Sequence, residues 1–362
     1  MKIGLLRESI GHIIINPIIY FSNTKFTKEL HIFVYRKNQL KNLAAFEIMR
    51  DSLSKEFRII FIDSNFLFSL IYNIFYRTQI LKWLKDLIFI DIHNIHHNPY
   101  YEKKYNVKFK TWTKNPISLK FSIPQKFEIA FQEWKVKNGL QENYICVFAR
   151  DSLYHKDSYT DIRNTDFKTL IPTIIYLLNN GYQVVRMGRN HSHDGWVESI
   201  LNPYKKNFKY FDYDQIYAKN DSVDILLLNY CKFFISNNSG ILMPCYFFNT
   251  PLIIYDWVPA GIQPYYSKQS VYILKDYYQN CSLKKYEEIP DTIKIIEDEK
   301  ILSQSGYHVK SISPNNLLAY VQRSIKSNLS DTIKPPMHAI LYGGETEIDR
   351  LWYEERIADF PQ

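Results

Sequence analysis

The sequence predicts an α/β fold in two domains. At 362 residues the chain is long enough for two domains of ordinary size. Short apolar runs typical of buried parallel strands alternate with segments of helical periodicity. This alternation is the pattern of parallel sheets covered by helices. We place the boundary at the helix stop Asn138-Gly139, which gives domains over residues 1–139 and 140–330 and a C-terminal extension over 331–362.

The composition indicates a globular protein with an anionic partner. Hydrophobic residues make up 46% of the chain and charged residues 23%, which excludes a disordered chain. The formal net charge of +8 suits a nucleotide, a nucleic acid or an acidic lipid. The four cysteines show no paired spacing, so we expect free thiols in a reducing compartment.

No secretory signal or membrane-spanning segment is predicted. Arg7, Glu8 and His12 interrupt the N-terminal apolar segments, and no small-residue cleavage site follows. No stretch approaches the roughly 20 apolar residues of a spanning helix. We therefore expect a cytoplasmic protein, with peripheral contact with the inner membrane as a further hypothesis.

The first domain is predicted from alternating strands and helices. The strands are His31–Tyr35 and Arg58–Asp63, and the helix between them is Leu40–Arg50. An apolar, aromatic helical region follows over residues 65–85. This region is either a core helix or a surface helix that touches lipid or a lipid-linked substrate.

Two further segments carry candidate ligands for a metal or an anion. His93 and His97 are spaced i, i+4, but no Glu lies between them and a turn follows, so we favour a polar loop over a metal site. From Tyr100 to Lys126, seven lysines are mixed with aromatic residues, and the alternation over 105–110 predicts a strand with a basic face. That face suits an anionic lipid or acceptor, or it is simply solvated. No nucleic-acid module signature is present, so nucleic acid is not expected as a partner.

The second domain is predicted to have the strand and helix order of a Rossmann-like half. Its strands are predicted at Tyr144–Ala149, Tyr182–Arg186, 208–213, Lys232–Ser236 and Pro251–Tyr255. Its helices are predicted at Asp166–Leu178, Asp221–Tyr230 and Ile241–Phe248. Asp221 and Asp224 resemble a capping pair at the start of the second of these helices.

The turn Asn238-Ser239-Gly240 is a candidate phosphate site. It follows a predicted strand and opens a helix, whose free N–H groups and partial positive charge favour anions. Gly240 lets a ligand approach the backbone, and Ser239 adds a hydroxyl donor. Pro244 places the helix start a residue or two after Ser239. The alternative is an ordinary turn with a helix cap.

Two arginines are expected at the same edge of the sheet as this turn. Arg150-Asp151 and Arg186-Met187-Gly188 each follow a predicted strand, and the carboxyl ends of parallel strands share one edge. Guanidinium groups pair with phosphate in bidentate fashion. The sequence therefore predicts that Arg150 and Arg186, with Gly188 beside them, bind a diphosphate together with the Ser239-Gly240 turn.

These segments resemble a bacterial glycosyltransferase family associated with surface-polysaccharide gene clusters. The motifs that carry the resemblance are Arg150-Asp151, Arg163-Asn164-Thr165-Asp166, the run GYQVVRMG from Gly181 to Gly188, and Ser239-Gly240, and Gly11-His12 also fits. The segment from 342 to 360 has no counterpart in this pattern, and one interpretation is a helix that crosses back to the first domain.

The resemblance implies a GT-B-type architecture, in which two Rossmann-like domains face a central cleft. The nucleotide-sugar donor would bind the second domain, and a cell-surface glycan or lipid-linked acceptor the first. The resemblance also implies transfer without a bound metal and without a cofactor, since the nucleotide-sugar is a co-substrate.

Sugar transfer needs positive charge for the leaving diphosphate and a base for the acceptor hydroxyl. We assign the charge to Arg150, Arg186 and the turn, with Arg163 and Asn164 as further donor-binding residues. His12 is the first candidate for the base, and Asp151 is the second. Two alternatives stay open: a nucleotide-sugar-binding protein without turnover, and another envelope transferase that moves a phospho or pyruvyl group.

Overall fold

The structure is a computed structural model that describes residues 2–6, 13–14, 16–17, 21, 29–77, 89–90, 121–150, 162–188, 195–207, 209–213, 220–260 and 270–326. It divides into two compact units. The first comprises Met1–Lys137, Lys219–Asn229 and Gly240–Phe248, and the second Asn138–Ala218, Tyr230–Ser239 and Asn249–Gln362. The predictions for His12, Asp151, the histidines at 93 and 97, the basic strand over 105–110 and the extension over 331–362 lie outside the described residues.

A parallel four-stranded sheet lies in the first unit. Its strands are β1 (Lys2–Leu5), β2 (His31–Tyr35), β3 (Ile59–Asp63) and β4 (Phe89–Ile90), in the order β3-β2-β1-β4. All neighbouring strands are parallel. The described helices of this unit include α1 (Leu43–Glu56), α2 (Asn65–Arg77) and α3 (Gln125–Lys137). Two helices from later in the chain also belong to it: α6 (Asp221–Tyr230), except for its last residue, and α7 (Met243–Phe248).

Helix α2 buries one side and exposes another. Phe68 and Ile71 pack with Leu5 and Val34 in a buried cluster of the first unit. Phe66 is 75% exposed and Leu70 is 44% exposed. The helix is therefore part of the core, as one of the two interpretations held, and it also presents apolar side chains to the surface.

Hydrogen bonds connect the first residues of helix α1 with the first residue of helix α6. Asn42 caps α1 because its Oδ1 accepts a hydrogen bond from the Ala45 N–H at 2.7 Å. The Asn42 amide also donates to the Asp221 carbonyl at 3.1 Å. The Asp221 carboxylate in turn accepts from the Leu43 N–H at 2.6 Å. The backbone N–H groups that a helix start leaves unsatisfied are thus bound by the neighbouring helix as well as by the cap.

The cap of α6 lies one residue earlier than predicted. The Asn220 Oδ1 accepts from the Ser222 N–H at 3.0 Å, and the Asn220 carbonyl accepts from the Asp224 N–H at 3.1 Å. The Asp221 carboxylate, which was predicted to cap α6, instead accepts a hydrogen bond from the first N–H group of α1.

The second unit contains a parallel sheet of six strands. They are β5 (Tyr144–Phe148), β6 (Gln183–Arg186), β7 (Tyr210–Asp212), β8 (Phe234–Ser236), β9 (Leu252–Trp257) and β10 (Ser270–Leu274). Their order is β10-β9-β8-β5-β6-β7, and every neighbouring pair is parallel. The chain runs outward from β5 to β7 and then crosses to β8, which is the doubly wound order of Rossmann folds.

Helices and a small antiparallel sheet complete the second unit. The helices are α4 (Ile171–Asn179), α5 (Gly195–Lys206), α8 (Asp291–Lys294), α9 (Glu299–Gln304) and α10 (Pro314–Lys326). The antiparallel sheet has the order β12 (Ser282–Lys284), β11 (Asp276–Gln279), β13 (Tyr307–Lys310). Residues of β5, α4, β9 and α10 share one buried apolar cluster.

Helix α5 was not predicted. Val197 and Leu201 are buried on it, and Ile200 and Tyr204 pack against the same cluster. These four residues have helical spacing, which is the signal that could have predicted the helix. Pro203 lies inside the helix and weakens that signal, because proline is unfavourable in helix interiors.

The structure confirms the predicted fold class, which is α/β with two Rossmann-like units. In the part of the chain that the structure describes, no helix combines the length and the apolar character needed to cross a membrane.

Candidate anion-binding site

The strand order of the second unit places a switch point between β5 and β8. From β5 the chain continues to β6 on one side, and from β8 it continues to β9 on the other. In open parallel sheets, ligands bind outside the carboxyl ends of the strands at such a point. Arg150 comes two residues after β5, and Asn238 and Ser239 come shortly after β8. These three predicted donor-binding residues therefore follow the two strands that flank the switch point.

Asn237 joins the segments that follow β5 and β8. It is fully buried, and its Oδ1 accepts from the Arg150 N–H at 2.9 Å. Its Nδ2 donates to the Arg163 carbonyl at 2.9 Å. The Arg150 carbonyl accepts from the Thr165 N–H at 2.9 Å. The Arg150 backbone is thus fixed against the segment 163–165, and its side chain is buried, with 7% exposed.

A residue of β9 and a residue that follows β10 also form hydrogen bonds with the segment 163–165. The Thr165 hydroxyl donates to the carboxylate of buried Asp256 at 2.8 Å. Lys275, which follows β10, donates from Nζ to the Asn164 carbonyl at 2.8 Å. Burial lowers the pKa of the Lys275 ammonium, while Asp256 and Glu299 act in the opposite direction. The backbone of this segment therefore has a defined position at the carboxyl edge of the sheet.

On this segment, the Arg163 guanidinium has an N–H group that can still donate a hydrogen bond to a ligand. Its side chain is half-buried, and its Nε–H has no hydrogen-bond partner among the described residues. Burial lowers the pKa of the guanidinium, and the nearby Glu297 carboxylate opposes that shift. A partly desolvated cation with an unpaired N–H is a binding group for an anion, since phosphate oxygens would supply both charge and acceptors.

Arg186, which was predicted as a diphosphate ligand, is enclosed by neighbouring side chains. Its side chain is only 3% exposed and lies 3.8 Å from the carboxylate of Asp212, which is itself buried. Its guanidinium carbon lies 3.7 Å from the centre of the Phe167 ring. Because Arg186 and Asp212 are register partners on β6 and β7, their side chains lie on the same face of the sheet. Arg186 is therefore packed against Asp212 and Phe167.

Gly188 and Asn238 have defined structural reasons for their residue types. Gly188 has a φ of 102°, a conformation that side chains with a Cβ rarely adopt. It follows Met187, whose N–H still pairs with the Val147 carbonyl at 2.8 Å, so the turn begins at the end of the sheet. The Asn238 amide donates to the Val258 carbonyl at 2.7 Å, which fixes the start of the turn after β8.

The helix after this turn starts later than predicted. A 3-10 turn spans Gly240–Leu242, and α7 begins at Met243, with Pro244 in its first turn, where proline is tolerated. Ser239 is half-buried and Gly240 is exposed. Since α7 has only six residues, its helix dipole is small.

Sequence analysis missed the residues that hold the site together. Asn237, Thr165 and Asp256 had no assigned role, although each lies in or beside a quoted motif. Asp256 carries the clearest signal, because a charged residue in the otherwise apolar run LIIYDW is unusual for a buried strand. The candidate bases His12 and Asp151 lie outside the described residues.

The two Rossmann-like units define the GT-B type of fold. A glycosyl transferase family 9 protein from Veillonella parvula matches this structure with a TM-score of 0.51 and 13% identity, over 90% of this chain and 97% of that one. The ADP-heptose LPS heptosyltransferase II of E. coli matches with a TM-score of 0.51 and 13% identity, over 90% of this chain and 99% of that one. No family model and no curated protein sequence matches the chain. At this identity the structural likeness shows the fold.

Proposed function

We propose that the protein is a glycosyltransferase, which moves a sugar from a nucleotide-sugar donor to a cell-surface glycan or a lipid-linked acceptor. The observation that carries this proposal is Arg163, a partly desolvated cation with an unpaired Nε–H at the carboxyl edge of a Rossmann-like sheet. The diphosphate of a nucleotide-sugar would satisfy both its charge and its hydrogen bonding. The fold supports the proposal, because both solved structures of this type described above are transferases by name.

The residues around the switch point take separate roles in this proposal. Arg163 and Arg150 stabilise the negative charge that develops on the leaving diphosphate. Asn164, Asn238 and Ser239 line the donor site, while Gly188 and Gly240 let the ligand approach the backbone. Arg186, buried against Phe167, supports the segment that carries Arg163. His12 and then Asp151 remain the candidates for the base that activates the acceptor hydroxyl.

The acceptor side of the reaction belongs to the first unit in this proposal. The exposed Phe66 and Leu70 on α2 suit a lipid-linked acceptor or peripheral contact with the inner membrane. The family resemblance supports a role in bacterial surface-polysaccharide synthesis in the cytoplasm.

Because arginines supply the charge, the transfer needs no metal, and excess chelator should leave the rate unchanged.

A donor screen tests the proposal. The protein is titrated with UDP-, GDP-, CMP- and ADP-sugars, and each donor that binds is incubated with lipid-linked and free glycan acceptors. We expect one donor to bind and the acceptor to gain the mass of one sugar residue. Binding without any product would favour a nucleotide-sugar-binding protein, and a mass gain of a phospho or pyruvyl group would favour another envelope transferase. Absence of binding by every nucleotide-sugar would overturn the proposal.

A further inference from the structure

Asp256 has an unusual backbone conformation beside the candidate site. It lies in β9 with a φ of 54°, and the pairing of β9 with β10 shifts register between Tyr272 and Leu274. A residue with a Cβ enters this left-handed region at a free-energy cost, so the conformation persists only where the surroundings hold it. Register irregularities of this kind re-aim a side chain and occur next to functional sites.

Both carboxylate oxygens of Asp256 are hydrogen-bonded. Oδ2 accepts from the Thr165 hydroxyl, and Oδ1 accepts from the Ile312 N–H, each at 2.8 Å. The side chain is fully buried, and it acts electrostatically on the Lys275 ammonium. Asp256 therefore connects the segment 163–165 with the chain that follows β13.

Among the described residues, the hydrogen bonds of segment 163–165 leave the Arg163 Nε–H unpaired. The carbonyls of Arg163 and Asn164 accept from Asn237 and Lys275. The Thr165 N–H donates to the Arg150 carbonyl, and the Thr165 hydroxyl donates to Asp256. These bonds fix the peptide units while the Arg163 Nε–H stays unpaired among the described residues.

We propose that Asp256 is a positioning residue for the diphosphate of the donor: through Thr165, it fixes the backbone that presents the Arg163 guanidinium to the ligand. This inference rests on the proposed function. A guanidinium held in place before the ligand arrives loses less conformational freedom on binding, and binding sites depend on such supporting contacts. The strained backbone of Asp256 serves to aim the carboxylate at Thr165.

A double-mutant cycle tests the role of Asp256. Asp256→Asn keeps the shape of the side chain and the Oδ1 that accepts from Ile312, but its Nδ2 cannot accept from the Thr165 hydroxyl, so the charge-assisted hydrogen bond to Thr165 is lost. Affinities for UDP, GDP and ADP are measured by titration calorimetry for the wild type, Asp256→Asn, Arg163→Met and the double variant. We expect Asp256→Asn to weaken binding by about tenfold to a hundredfold in the wild-type background. In the Arg163→Met background it should have little further effect, because there is no guanidinium left to position.

Substitutions at Thr165 provide the matched comparison. Thr165→Ser keeps the hydroxyl and should bind the nucleoside diphosphate nearly as the wild type does. Thr165→Val removes the donor to Asp256 and should weaken binding as Asp256→Asn does. Equal affinities for the Ser and Val variants, or a loss from Asp256→Asn that is the same in both backgrounds, would overturn the inference while leaving the proposed function intact. If the wild type binds none of the nucleotides, the proposed function and this inference fall together.

Discussion

Arg163 and Arg186 are arginines of similar sequence context with different environments. Each lies in a segment that carries the family resemblance and near the carboxyl edge of the sheet. Arg186 has an acidic register partner in Asp212 and an aromatic ring beneath it. The Nε–H of each arginine lacks a hydrogen-bond partner among the described residues, but Arg163 has no carboxylate within salt-bridge distance there. At the scale of single residues, Arg163 is therefore the arginine that we propose as the main ligand of the diphosphate.

Replacing Arg186 should destabilise the protein. Arg186→Met leaves Lys205, whose Nζ lies 4.0 Å away, as the cation beside the buried Asp212 carboxylate, so its charge is only partly compensated. Breaking a buried ion pair from one side costs about 3 to 5 kcal/mol, and we expect a loss at the lower end of that range. The free energy of unfolding from urea titration measures the loss. Arg186→Met combined with Asp212→Asn should recover part of it, because the uncompensated charge is then gone. A variant as stable as the wild type would show that the pair does not hold β6 to β7.

The sequence could identify Arg186 but not its burial. A strand-end arginine is open or buried according to what the neighbouring strand places beside it, and Asp212 comes from a strand that the sequence pattern placed only approximately. The same limit applies to Asn237, Thr165 and Asp256, which meet across long separations in sequence. The motifs identified which residue types could bind an anion. Which of these residues contact each other depends on the strand order, which the motifs do not give.

At the scale of elements, the apolar strands were the predictable part. β2, β5, β6 and β9 lie where the apolar runs placed them, within two residues at each end, because buried parallel strands are continuous apolar runs. Helix α5 was missed because Pro203 and a polar loop obscure its periodicity. Helix α7 starts late because the chain forms a 3-10 turn first. Helix α1, predicted over Leu40–Arg50, begins three residues and ends six residues later than predicted, so the errors lie at both ends of helices.

The start of helix α1 provides an element-scale prediction. Asn42→Ala removes both the cap on Ala45 and the bond to the Asp221 carbonyl, and we expect it to cost about 1 to 2 kcal/mol of unfolding free energy. Asn42→Ser keeps a capping oxygen and should lose less. Urea titration of the two variants measures the difference. Equal losses for Ala and Ser would contradict the capping role.

At the scale of the whole molecule, buried tyrosines make stability depend on alkaline pH. Burial raises the pKa of the Tyr144, Tyr210, Tyr255 and Tyr277 phenols above the ordinary value of 10.0. Below that pH both the folded and the unfolded states hold these protons, so the contribution to stability is intact. Above it the unfolded chain loses protons that the folded chain keeps, and stability falls as pH rises.

We therefore expect cooperative unfolding when the pH is raised above 10. Each such tyrosine lowers the unfolding free energy by about 1.4 kcal/mol per pH unit until its own folded-state pKa is reached. The depressed pKa of Lys275 acts in the opposite direction, but only up to its ordinary value of 10.5. Tyrosinate absorbance and circular dichroism should change together in a pH titration. Full tyrosine ionisation with an unchanged circular dichroism spectrum would contradict this prediction.

The whole fold also sets where the proposed chemistry takes place. The second unit has its switch point between β5 and β8. Hydrogen bonds of Asn237, Thr165 and Asp256 connect the segments that follow β5 and β8 with strand β9. The segment 163–165, which these hydrogen bonds fix, carries Arg163. We propose that the donor diphosphate binds there and that the first unit binds the acceptor.

The most direct test of this account is the affinity for nucleoside diphosphates with and without the Arg163 guanidinium. UDP, GDP and ADP are titrated into the wild type, Arg163→Met and Arg58→Met by calorimetry, where Arg58 is an exposed arginine of the first unit that serves as the matched control. We expect Arg163→Met to weaken binding of the preferred nucleotide by at least about tenfold, as for a lost charge-assisted hydrogen bond of about 1.5 to 3 kcal/mol, and Arg58→Met to leave it unchanged. Binding that survives Arg163→Met at full strength would contradict the central claim.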